Sequence, residues 1–214
     1  MGPLNALLDG CRDAVRHVMR GIARGLNKLT RGQLSPTSIT IIGFLAHIPI
    51  AWLIAERQYP LAAVLLVFFG LFDTLDGELA RLQGKDSSAG MLLDSTTDRM
   101  KEVLLYVGAA FALVAEGRPY FAVWAVAACG ASLCVSYVNA WGEAVASRSK
   151  LNKHELNKSF RSGLLRFEIR MFLLFVGLLA DQLPAMLIVI ALFSAYTAFQ
   201  RLISIIRHLN NAEA

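Results

Sequence analysis

Four aspartates stand at helical intervals inside a strongly apolar chain: Asp73 and Asp76, three residues apart, and Asp94 and Asp98, four apart. On helices these spacings place each pair on one face. Ionised carboxylates in or beside apolar segments are costly, and their presence there marks a functional site. Two divalent cations would balance four convergent charges, and carboxylate oxygen suits Mg2+ or Mn2+. The cluster contains neither histidine nor cysteine, which argues against zinc. Gly77, Ala80 and Gly90 lie on the carboxylate faces, where small side chains let a ligand or a backbone approach closely. Two metals beside a small-walled groove suit a diphosphate whose oxygens bridge the ions, and Arg81 would add fixed positive charge. A competing account pairs the aspartates with Arg81, Arg99 and Lys101 in a salt-bridge network at the helix ends. Four aspartates on two matched faces, with glycines between them, weigh against it.

The elements that carry these residues are those of a membrane protein. Hydrophobic residues make up 56% of the 214 residues and charged residues 17%, against about 45–50% and roughly 25% in soluble domains. Six apolar segments, approximately 37–56, 60–82, 88–115, 119–146, 163–181 and 184–206, are long enough to span a bilayer. Before them, Arg12, Arg16, Arg20 and Arg24 repeat every fourth residue along 4–30 while apolar residues recur at helical spacing, the pattern of a helix lying on an anionic membrane surface. An arginine-faced helix bound to another subunit would carry the same pattern. The predicted fold is all-α and integral to the membrane, with six transmembrane helices after an N-terminal amphipathic interfacial helix. Residues 1–33 form the surface helix and 34–214 the membrane domain.

Gly84 to Ser88 is a short polar turn, so the second and third spans are expected to be antiparallel neighbours whose aspartate faces meet. Of the 21 lysines and arginines, only Arg57 and Arg118 fall on one side of the membrane. The other side, with both termini and the aspartates, is therefore expected to be cytoplasmic. The net charge of +5 does not imply a nucleic-acid partner, because the basic residues do not cluster on a soluble face. Cys11, Cys129 and Cys134 lack metal-ligand spacing and read as buried thiols. The N-terminal segment lacks a cleavable signal pattern. His47, inside the first span, is expected to make a structural hydrogen bond.

The series Asp73-x2-Asp76-Gly77-x2-Ala80-Arg81-x8-Gly90-x3-Asp94-x3-Asp98 resembles, at every fixed position and gap, the signature of the CDP-alcohol phosphatidyltransferases. The motif covers 26 residues, and the six-helix pattern with its basic amphipathic start is similar to that family as well. The resemblance implies an enzyme that uses a CDP-linked lipid such as CDP-diacylglycerol, a pair of divalent metal ions and release of CMP. By position, Asp73, Asp76, Asp94 and Asp98 would handle metal, and Asp98 would also be the general base. Asp73, Gly77, Ala80 and Arg81 would form the CDP-lipid site. The resemblance also implies a homodimer in the lipid bilayer.

Leu93-Asp94-Ser95-x2-Asp98-Arg99 looks more like family members that transfer to inositol phosphate than those that use glycerol phosphate. Ser136-Tyr137-Val138-Asn139-Ala140-x2-Glu143 and Arg166-x-Glu168-x-Arg170 point the same way. Two departures stand against this: the family's basic residue near Asn139 is missing, and Thr37 stands where many relatives have asparagine. Arg166 and Arg170, four apart, could clamp an acceptor phosphate bidentately. They could equally anchor lipid headgroups or pair with Glu143 and Glu168. The expected acceptor is a small polar alcohol, inositol phosphate, with glycerol phosphate, inositol or serine as alternatives.

A cation transporter would need polar residues in several helices down to the far side, and the outer halves of the six segments are almost wholly apolar. A scaffold with a structural ion cluster would leave the small-residue stripe without a purpose.

Overall fold

The structure, a computed structural model, describes residues 3–148 and 167–213, and among these the only regular secondary structure is helical. The helices are α1 (Pro3–Leu29), α2 (Pro36–Ala55), α3 (Tyr59–Gly70), α4 (Phe72–Gln83), α5 (Ser88–Ala115), α6 (Pro119–Arg148), α7 (Phe167–Leu179) and α8 (Leu183–Glu213). They fold into two compact units. The first holds the chain up to Trp52 together with Leu61–Leu105, and the second holds Leu53–Pro60 and the described residues from Tyr106 onward.

The predicted second span is α3 and α4 separated by Leu71 alone. Leu71 keeps right-handed helical dihedrals. Its N–H bonds to the Val67 carbonyl and its own carbonyl accepts from Leu75. The hydrogen-bond ladder therefore crosses the break, and Tyr59–Gln83 is one continuous helical stretch of 25 residues. Gly84 ends α4 at a left-handed φ of 62°. There the Lys85 N–H reaches back to the Ala80 carbonyl at 3.0 Å, the glycine-terminated stop that satisfies orphan carbonyls. Three residues later Ser87 caps α5, its hydroxyl accepting from the Gly90 N–H at 3.1 Å. The polar turn thus stops one aspartate-bearing helix and starts the other.

Four stretches among the described residues are long and apolar enough to cross a membrane: Pro36–Ala55, Tyr59–Gln83, Pro119–Val145 and Leu183–Asn210. Many of their large apolar side chains, including Trp52, Val64, Val126 and Phe193, are exposed. An apolar exterior of this kind needs lipid as its solvent. The other two expected spans differ for identifiable reasons. α5 has 28 residues, but Asp94, Asp98, Arg99, Lys101 and Glu102 crowd the stretch from its start to its middle. Only 13 residues of α7 are described.

In the first unit α1 packs on α4. Met19 and Ala23 of α1 are buried with Ile39 of α2 and Leu75 and Leu79 of α4. Val15, Val18 and Ile22 of α1 remain exposed, so the apolar face of α1 is shared between its own chain and its surroundings. α2 approaches α4 at Gly43, where a Cβ would lie 3.3 Å from the Phe72 Cβ. That close approach, one helical turn from Thr40 and from Asp76, lets those two side chains meet. His47 bonds within its own helix, Nδ1 lying 2.7 Å from the Gly43 carbonyl.

In the second unit α8 packs against both α6 and α7. The α7–α8 crossing depends on Gly177, where a Cβ would fall 2.9 Å from the Met186 side chain. Tyr106 and Ser132 join α5 to α6 through their hydroxyls at 3.2 Å. Arg57, Gly117 and Asp181 take left-handed φ values of 61°, 71° and 54° in the three tight connections of this unit.

Candidate functional site

Asp73 and Asp76 lie in the first turns of α4, and Asp94 and Asp98 lie in the first half of α5. One carboxylate oxygen each from Asp73, Asp76 and Asp94 converges, all within 4.8 Å of one another. Asp76 is nearly buried, and its Oδ2 accepts a 2.6 Å hydrogen bond from the Thr40 hydroxyl. Asp94 Oδ1 is buried without a hydrogen-bond partner. A buried carboxylate oxygen that bonds to nothing in the protein is costly unless something else satisfies it. The three residues present oxygen only, the donor set of Mg2+ and Mn2+. The residues fit a divalent cation.

Asp98 joins this trio through Lys101. The ammonium of Lys101, 2% exposed, pairs with Asp73 and lies 3.2 Å from Asp98 Oδ1. Arg99 reaches Asp98 only at 3.9 Å and pairs more closely with Glu102 at 3.3 Å. Arg81 turns away from the aspartates to Glu78, 2.7 Å distant. Of the three cations the salt-bridge account would use, Lys101 is the one that enters the cluster.

Beside the trio lies a groove of about 740 Å3. Asp76, Gly77, Ala80 and Arg81 form its α4 wall, and Gly90 and Asp94 its α5 wall. The start of α2 and the 85–88 turn complete it, adding Thr40 and the further cation Lys85. The Arg81 guanidinium lies over Gly77, where a Cβ would be 3.5 Å from Nη2 and 3.8 Å from Nη1. The small residues singled out in the sequence therefore make space along the groove. With Asp76 and Asp94 as metal ligands, Arg81 and Lys85 as counter-charges and Gly77, Ala80 and Gly90 as small wall residues, the groove suits an anion bridged to metal. Asp86 adds a third carboxylate to its lining.

Arg166 lies outside the described residues. Arg170 stands in α7 of the second unit, 1% exposed, with its guanidinium 6.0 Å from the Phe167 ring centre. Sequence reasoning missed Arg201, almost as deeply buried in α8. A cation inside an otherwise apolar helix was the available signal. It also gave no role to Thr40 or Glu78, and named Lys101 only as one of three possible salt-bridge partners. Glu78 is 58 residues from its partner Arg20, and Thr40 is 36 from Asp76. Such pairings have no local signature.

The helical membrane fold and an oxygen-only carboxylate cluster opening on a groove that carries Arg81 and Lys85 suit a membrane-embedded enzyme acting on phosphorylated substrates. A profile of the CDP-alcohol phosphatidyltransferases matches residues 33–206, and the chain belongs to that family. The phosphatidylinositol phosphate synthase of Cutibacterium acnes is 28% identical over 205 residues, covering 90% of this chain and 98% of that protein. The crystal structure of Mycobacterium tuberculosis phosphatidylinositol phosphate synthase with CDP-DAG bound superposes with a TM-score of 0.75 at 26% identity, covering 88% of this chain and 94% of that one. The same Mycobacterium tuberculosis enzyme in complex with manganese and citrate gives a TM-score of 0.73 at 26% identity, covering 87% of this chain and 88% of that one.

Proposed function

We propose that this protein transfers the phosphatidyl group of CDP-diacylglycerol to a hydroxyl of inositol phosphate and releases CMP. The observation that carries the reading is the convergence of Asp73, Asp76 and Asp94 at the end of a groove walled by Gly77, Ala80 and Arg81. The acceptor rests on kinship with enzymes named phosphatidylinositol phosphate synthases. The sequence resemblances around Asp98, Asn139 and Arg170 support it.

In this reading the donor's diphosphate lies along the groove, close to the backbone at Gly77 and Ala80, with Arg81 as its fixed counter-charge. Asp73, Asp76, Asp94 and Asp98 hold two Mg2+ or Mn2+ ions. When bound, these neutralise the diphosphate and make its β-phosphorus open to attack. Lys101 keeps Asp98 oriented, and Asp98 accepts the proton of the acceptor hydroxyl. The acceptor oxygen bonds to the β-phosphorus, the bond from that phosphorus to CMP breaks, and CMP departs. Arg166 and Arg170 bind the acceptor's phosphate, because planar guanidiniums match phosphate oxygens bidentately.

The membrane arrangement follows the same reading. Residues 34–214 form one domain of six spans: α2, α3 with α4, α5, α6, the segment containing α7, and α8. Residues 1–33 lie on the membrane surface, with the Val15–Val18–Ile22 edge of α1 in lipid. Both termini and the aspartates are cytoplasmic, as the one-sided basic residues favour. The protein works as a homodimer.

The test is CMP release by purified protein supplied with CDP-diacylglycerol and Mg2+. Inositol phosphate, glycerol phosphate, inositol and serine are offered separately. Mg2+-dependent release with inositol phosphate alone is expected. Release with another acceptor reassigns the substrate, and release with none sinks the transferase reading.

A further inference from the structure

We propose that Glu78, a side chain outside the metal cluster, is a positioning residue for the donor site. It holds the Arg81 guanidinium in place over Gly77, and through Arg20 it makes the charge of that site depend on α1. The inference rests on the reading of the groove as the CDP-lipid site.

Glu78 is 3% exposed, whereas Arg81 and Arg20 are roughly half exposed. Its two oxygens are divided between two helices. Oε1 accepts from Arg81 Nη2 at 2.7 Å, one turn along α4, and Oε2 accepts from Arg20 Nε at 3.0 Å, from α1. Arg16, one turn earlier on α1, reaches Oε1 at 4.0 Å. A carboxylate gripped at both oxygens cannot rotate freely, so the Arg81 Nη2 that bonds to it is held in place. Arg81 makes no other ion pair among the described residues, and a guanidinium has five N–H donors. With Nη2 committed to Glu78, Nη1 and Nε remain for the ligand. The guanidinium lies beside Gly77, where an added Cβ would be in van der Waals contact with Nη2 at 3.5 Å.

Charge separates positioning from simple attraction. Glu78 and Arg81 alone form a neutral pair, a poor lure for a diphosphate. Arg20, with Arg16 behind it, leaves the group net positive although neither residue lines the groove. The tie between α1 and α4 has its own apolar support in Met19, Ala23, Leu75 and Leu79, so docking α1 does not by itself require Glu78. Neutralising Glu78 would raise the positive charge facing the donor, and a purely electrostatic role predicts tighter donor binding. A positioning role predicts weaker binding.

The experiment uses full-length protein in nanodiscs and compares wild type with Glu78→Gln, Glu78→Asp and Arg20→Gln. It reads donor KM, acceptor KM, kcat, thermal midpoint and equilibrium binding of CDP-diacylglycerol without acceptor. Loss of one charge-assisted bond to a positioned guanidinium should raise donor KM and weaken donor binding about tenfold for Glu78→Gln, with acceptor KM and kcat within about twofold. Glu78→Asp should recover part of that loss. Arg20→Gln should weaken donor binding about threefold, and it decides the question if Glu78→Gln does not fold. Donor binding unchanged or tightened in Glu78→Gln, or a fall in thermal midpoint alone, would overturn the role. The binding measurement needs no turnover, so a wild type that binds CDP-diacylglycerol but releases no CMP would count against the reaction and leave this comparison decisive.

Discussion

The Thr40 hydroxyl donates to Asp76 Oδ2 across 2.6 Å, tying the start of α2 to the carboxylate cluster on α4. Asp76 is thereby held by a residue outside the four-aspartate motif. The contact depends in turn on Gly43, which lets the helices approach at Phe72. Hydrogen bonds to charged groups are worth about 1.5–3 kcal/mol. Thr40→Val, equal in shape but without the donor, should lower thermal stability by roughly that amount and activity about tenfold, whereas Thr40→Ser should retain both. Melting curves and CMP release of the two variants check this; equal behaviour of valine and serine would show the bond to be idle.

Lys101 occupies the space between Asp73 and Asp98 and is almost completely enclosed. Removing one partner of a buried ion pair costs about 3–5 kcal/mol because the remaining charges have no counter-ion. Lys101→Met should therefore melt well below wild type in chelator. Millimolar Mg2+ should restore a good part of the difference, since a divalent ion can replace the ammonium between the carboxylates. A variant as stable as wild type in chelator would mean that the pair contributes nothing.

Asp94 has the opposite sign of effect. Its buried Oδ1 has no partner within the protein, and without a cation it adds negative charge to Asp73 and Asp76. A ligand at 100 times its Kd stabilises the state it binds by about 2.7 kcal/mol. Wild type should thus gain thermal stability with Mg2+ or Mn2+. Asp94→Asn should lose most of that gain while matching or exceeding wild type in chelator. Thermal shift with and without metal, and counting of bound Mn2+ by EPR, are the measurements. An unchanged metal-dependent shift would remove Asp94 from the ligand set.

Asp98 carries the proton in the proposed reaction, and general-base assistance is typically worth about 10²–10⁴-fold. Asp98→Asn should fold and bind CDP-diacylglycerol yet lose turnover by about that factor. Wild-type kcat in the purified variant would move the base elsewhere.

Much of this site could be read before any coordinates. The intervals 73–76 and 94–98 put the carboxylates on helix faces because helical periodicity is local. The turn at Gly84 and Ser87 follows from residues that supply, respectively, a left-handed stop and an N-cap. The apolar runs likewise announce a membrane protein, since burying that much hydrocarbon in so small a chain needs lipid. What periodicity leaves open is which neighbour each face meets. Arg20 and Thr40 have nothing in their immediate sequence to mark them as partners of Glu78 and Asp76, and the helical spacing that suggests Lys101 for Asp98 says nothing of its pairing with Asp73. The four arginines of α1 read simply as a stripe for a membrane surface, but Arg16 and Arg20 turn to Glu78, while Met19 and Ala23 pack on α4.

The sequence by itself therefore determined the chemistry available: carboxylates at helical spacing, small residues beside them, and a family signature that specifies a CDP-linked donor. Only the tertiary structure decided how that chemistry is held. A helix face has no preferred partner until packing brings a second helix against it. Here the packing at Gly43 and along α1 selects Thr40 for Asp76 and Arg20 for Glu78, and Lys101 closes the gap between Asp73 and Asp98.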